Sequence, residues 1–76
     1  MSDLWNNCLL RLEQSLTPQQ FVTWIRPLHA REQSSELALY APNRYVLDHV
    51  KDKFLSTILA AARDLGYKNS ITVNIG

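Results

Sequence analysis

Glu36-Leu37-Ala38-Leu39-Tyr40-Ala41-Pro42-Asn43-Arg44-Tyr45-Val46-Leu47-Asp48 decides the fold, because the period of its apolar residues changes partway along. Up to Ala41 the residues alternate as in a half-buried β-strand. Pro42 closes the strand. Asn43 suits the N-cap of a helix, since its side-chain oxygen accepts from an amide of the first turn. From Arg44 to about residue 64 the spacing is helical. The stripe runs Val46 or Leu47, Val50, Phe54, Ile58, Ala61 or Ala62, and Leu65. Gly66 stands just past it, where a left-handed C-cap belongs.

Working outward, Ile71-Thr72-Val73-Asn74-Ile75 alternates and reads as a strand, with the long helix giving reach for a crossover connection. Upstream, Leu28 to Gln33 is a weaker, charge-rich strand, and Ser34-Ser35 is a turn signal, so these residues and Glu36–Ala41 make an antiparallel hairpin. Thr17-Pro18 reads as an N-cap followed by proline at the first helical position, opening a helix over about 18–26. Phe21, Val22, Trp24 and Ile25 form its apolar side, and Pro27 ends it. Leu4, Cys8, Leu9, Leu12 and Leu16, with Trp5 beside them, predict an amphipathic helix over about 3–15, capped by Ser2 or Asp3. The order helix, helix, strand, strand, helix, strand is that of an α+β domain.

Seventy-six residues make one domain, covering 1–76. With 46% hydrophobic and 20% charged residues, the chain has enough apolar material for one core. No apolar run approaches the ~20 residues of a membrane span, and the start lacks a signal-peptide pattern. The single Cys8 cannot form an internal disulfide, which suits a reducing compartment, so a cytoplasmic location without membrane attachment is expected. Net charge is +1, with basic and acidic residues interspersed. Any nucleic-acid contact is therefore expected to be weak and salt-sensitive. Gly76 directly follows an apolar run, as at the end of an excised domain.

Enzymatic chemistry finds no foothold. Two glycines, Gly66 and Gly76, cannot build a phosphate-cradling loop. Cys8, His29 and His49 lack zinc spacing. Cys8 lies on an apolar stripe, where cysteine behaves as a small hydrophobe. Asp48 and Asp52, interleaved with Lys51 and Lys53, read as a solvated helix face. No catalytic residue, metal or cofactor is expected.

Three stretches together carry a family resemblance: Leu4-Trp5-Asn6-Asn7-Cys8-Leu9, then Phe21-Val22-Thr23-Trp24-Ile25-Arg26-Pro27-Leu28, then Leu37 to Asp48 followed by Val50-Lys51-Asp52-Lys53-Phe54-Leu55. The chain resembles, over nearly its whole length, domain I of DnaA, the bacterial chromosomal replication initiators. The resemblance implies a fold related to the K-homology domains. The chain has no G-x-x-G loop of the kind those domains use to clamp nucleic acid. It also implies self-association, recruitment of the replicative helicase and docking of initiation regulators, with weak single-stranded DNA contact. ATP and magnesium would belong to a later ATPase domain, and double-stranded DNA reading to a later helix-turn-helix domain.

The resemblance also suggests where these roles sit. Trp5 matches a family tryptophan tied to self-association; lying one step off a filled stripe, it is expected to project outward, flanked by Leu4 and Cys8. Tyr45 stands where the family carries an aromatic tied to helicase contact. Gln20 replaces a family glutamate implicated in helicase and regulator contact, which removes a charge. Asn43 adds to its capping role at most a share in that docking site. Trp24 is read as core. Arg26, Arg44 and Lys51 are the candidates for weak single-strand contact, with Tyr40 or Tyr45 as a stacking surface. The alternative reading is a primary single-stranded nucleic-acid binder of K-homology type.

Overall fold

The computed structural model describes residues 3–33 and 35–76; the expected cap at Ser2 and the Ser34 half of the turn signal lie outside them, as does the Asp3 side chain. The order is the one the sequence predicts. Helix α1 is Asp3–Ser15. Helix α2 begins with an α-helical turn, Pro18–Gln20, and continues as π-helix over Phe21–Ile25. Strands β1 and β2 are His29–Glu32 and Glu36–Ala41. Helix α3 runs through Arg44–His49, a π-helical stretch Val50–Phe54, and Leu55–Asp64. Strand β3 is Ser70–Ile75.

β2 is the central strand, antiparallel to β1 and parallel to β3. α3 therefore serves as the crossover, and the sheet is mixed. Register places Leu37, Leu39 and Ala41 of β2 opposite Ile71, Val73 and Ile75 of β3. The inward side of this set joins Cys8, Leu12, Phe21, Ile25, Val50, Phe54, Ile58 and Ala62 in one core. Burying a side chain of Leu, Ile or Phe size contributes about 1.5–3 kcal/mol. Leu12, Ile25, Leu37, Leu39, Val50 and Ile58 have no meaningful exposure.

The π stretch of α3 has a cause legible in the spacing. Val46, Val50, Phe54, Ile58 and Ala62 are all buried and lie four residues apart. At 3.6 residues per turn, each such step would drift about 40° around a straight α-helix. A wider π turn in the middle holds the set on one face, and the backbone leaves helical angles at Phe54 (φ −120°, ψ −9°).

The helix ends are closed as expected, with one device not read from the sequence. The Asn43 Oδ1 accepts from the Val46 amide at 2.9 Å. Gly66, at φ 89°, donates to the Arg63 carbonyl while the Tyr67 amide donates to that of Ala62. This left-handed closure satisfies two carbonyls at the end of α3. At α2, Thr17 Oγ1 accepts from the Gln20 amide at 3.1 Å and Gln20 Oε1 accepts from the Thr17 amide at 3.2 Å, a reciprocal capping box.

Three expectations need correction. Trp5 does not project outward: it is 5% exposed and belongs to the core, with Cys8, fully buried, one turn further on. Leu4 and Leu9, expected on the same stripe, are only half-buried at the margin of that core. Val22, expected on the apolar side of α2, is 59% exposed. Trp24 is half-buried at the margin of the core rather than within it.

Candidate protein-docking surface

Trp24 organises the most distinctive surface of the molecule. Its indole stacks on the His49 imidazole, with centroids 3.7 Å apart and planes 13° apart. Tyr45 also approaches the indole, tilted by 53° at 5.5 Å between centroids. His49 in turn approaches Phe54 at 5.6 Å. The row runs from Tyr45 on α3 through Trp24 of α2 and back to α3 at His49 and the buried Phe54. Tyr45 and His49 are four residues apart on α3, so they share a face. Trp24 inserts across that face from the neighbouring helix. Burying the indole's inner part while covering its face with imidazole explains why the residue is neither core nor free surface.

Tyr45 is the exposed end of this row, at 72% exposure. A staple role at the entry to α3 would require a covered ring, so most of its surface is available to a partner. Gln20 is exposed and one turn before Trp24 on α2; its side chain also serves the capping box with Thr17. Asn43 is exposed at the mouth of α3 with its Oδ1 engaged in the cap. Trp24 thus connects the elements carrying the three expected docking residues. The sequence offered one clue to this, the four-residue spacing of aromatic Tyr45 and His49 facing an aromatic-rich α2.

The other expected residues fall elsewhere. Leu4 is half-buried, while Trp5 and Cys8 are buried. Burial pushes the Cys8 thiol above its ordinary value, outweighing the opposite pull of Arg11. Arg44 is exposed and paired with Asp48 at 3.4 Å. Lys51 is exposed on the π stretch of α3. Arg26 is exposed and lines a hollow against α1. Of these three cations, only Arg44 has an ion-pair partner among the described residues. Three exposed aliphatic residues, Leu10 at 60%, Val22 at 59% and Ile75 at 50%, were not anticipated. Among the described residues no group of three or more His, Cys, Asp or Glu is placed to hold a metal, and no helix is long and apolar enough to cross a membrane.

The α+β architecture, with an aromatic row of which only Tyr45 is exposed, is that of a small helix-and-sheet domain. A family model for the DnaA N-terminal domain matches residues 2–64. The chain belongs to the DnaA N-terminal domain family, and so to the proteins of replication initiation.

Proposed function

We propose that the chain is a protein-interaction module of the replication initiator that self-associates, recruits the replicative helicase and receives initiation regulators. The observation carrying the docking part is Tyr45, 72% exposed yet in ring contact with Trp24, which is itself stacked on His49. A large, fairly rigid aromatic projecting from ordered neighbours gives contact area at low entropic cost. Such residues dominate binding when a partner covers them. Gln20 and Asn43 border this surface, and their local capping bonds hold it in shape. The family is a module of the initiator without catalysis of its own, and no cofactor is proposed for this segment. Retention of purified replicative helicase on the immobilised chain tests the reading. Retention that disappears with Tyr45→Ala supports it; no retention by the parent chain refutes it.

A second reading, weak single-strand nucleic-acid contact, is favoured by one feature of the sheet. On the face turned from the helices, Tyr40 stands with His29 and Arg31 around an open hollow of about 400 Å³. An aromatic beside a guanidinium can stack a base and hold a phosphate. This site differs from the Arg26, Arg44 and Lys51 set, of which Arg44 is occupied by Asp48. With net charge +1 the contact stays weak. Arg31→Ala should lower single-strand binding at low salt more than Arg44→Ala does; the reverse order would remove the sheet from consideration.

A further inference from the structure

The apolar residues left uncovered on α1 and α2 lie beside a groove with an unusual charge arrangement. The groove, about 430 Å³, is lined by Asn6, Leu9, Leu10, Glu13, Phe21 and Arg26. Asn6, Leu10 and Glu13 follow one another at helical spacing along α1, and Val22 and Arg26 lie one turn apart on α2. Leu10 and Val22 are the most exposed large aliphatic side chains on these helices. One carboxylate stands on the α1 wall and one guanidinium on the α2 wall. Neither Glu13 nor Arg26 takes part in an ion pair among the described residues, although Arg11, Arg44 and Lys53 each do.

A surface with one acidic and one basic wall around an apolar centre is complementary to itself after a two-fold rotation. The carboxylate of one copy then meets the guanidinium of the other, twice, and the apolar residues meet at the axis. Two-fold dimers are built on this kind of self-matching patch. A partner of uniform charge would satisfy one wall and oppose the other.

The geometry points to the α1–α2 groove as the self-association surface, its occupant a second copy of this chain, with Glu13 of each copy against Arg26 of the other and Leu10 and Val22 between them. This rests on the self-association reading and moves its contact from Trp5, which is buried, to the exposed face of the same helix. Trp5 acts from below, as a support for α1.

Charge reversal tests it. Sedimentation equilibrium is run on the parent, on Glu13→Arg, on Arg26→Glu and on the double variant, each checked for an unchanged circular-dichroism melt. Either single reversal places like charges together twice and should weaken the dimer about tenfold or more. The double variant restores both pairs in swapped form and should return to within about threefold of the parent. Leu10→Ser, at an exposed site that leaves the fold intact, should also weaken association. A parent that dimerises while the double variant stays as weak as the singles, or while Leu10→Ser changes nothing, overturns this surface and leaves self-association standing. A parent that remains monomeric at millimolar concentration overturns the self-association reading, and this proposal with it.

Discussion

The indole of Trp24 and the imidazole of His49 lie face to face, 3.7 Å between centroids and 13° between planes, joining α2 to α3 at the edge of the core. Trp24 packs on the core from one side and is covered by His49 on the other. This contact fixes the platform from which Tyr45 projects.

Removing the imidazole should loosen that platform without unfolding the domain. Aromatic pairs contribute about 0.5–1.5 kcal/mol beyond area burial. His49→Ala should therefore lower the melting temperature by roughly 4–8 °C per kcal/mol lost, as in domains of this size. It should move the Trp24 indole resonance in NMR spectra and leave that of Trp5 in place. An unchanged Trp24 resonance would mean the stack is absent in solution.

Trp5→Ala should act on folding first. Truncating a buried tryptophan costs about 3–5 kcal/mol. That is a large share of the roughly 4–11 kcal/mol expected for 76 residues. Any loss of self-association in this variant should then accompany a large drop in the melt. A Trp5→Ala protein with the parent's melt but no dimer would instead mark the residue as a direct contact.

Much of this architecture could be read in advance, and the failures share a cause. The strand at Glu36–Ala41, the Asn43 cap and Gly66 each depend on neighbours in sequence, and all three stand in the structure, although Ala38 is buried too and burial along the strand does not strictly alternate. The direction of Trp5, the exposure of Val22 and the position of Trp24 depend on which helix covers which face. Periodicity gives a stripe but not its width. Val22 and Trp24 lie within the π stretch of α2, whose wider turn departs from the helical spacing read in the sequence, whereas Trp5 sits on a regular α-helix and turns inward because of what packs beneath it. Of the residues named from the resemblance, Tyr45 and Gln20 stand exposed. The organising residue of that surface, Trp24, was not legible, because its stacking partner lies 25 positions away on another helix (Trp24 to His49).

Gln20→Glu separates the cap from the docking role. Glutamate also closes a capping box with threonine three residues earlier. The melt should stay within about 0.5 kcal/mol of the parent, while the added charge alters helicase retention. A changed melt with unchanged retention would confine Gln20 to the cap.

Cys8 should report on core opening. Its raised thiol pKa, caused chiefly by burial, means the folded state favours the protonated form. The stabilisation is present below the ordinary value near 9.0 and is lost as pH rises through the higher folded value. Alkylation by iodoacetamide at neutral pH should be slow in the native protein and fast in denaturant. Equal rates in the two conditions would contradict burial of Cys8.

The central claim is that Tyr45 is a contact and not a brace. Its test is a calorimetric titration of the replicative helicase against the parent and Tyr45→Ala, with melts recorded on the same preparations. At 72% exposure, Tyr45 should cost less than about 1 kcal/mol of stability when truncated. Loss of an interface anchor should weaken binding by about 2 kcal/mol or more, roughly thirtyfold. A normal melt with that loss of affinity is the predicted result. A normal melt with parental affinity would contradict the account.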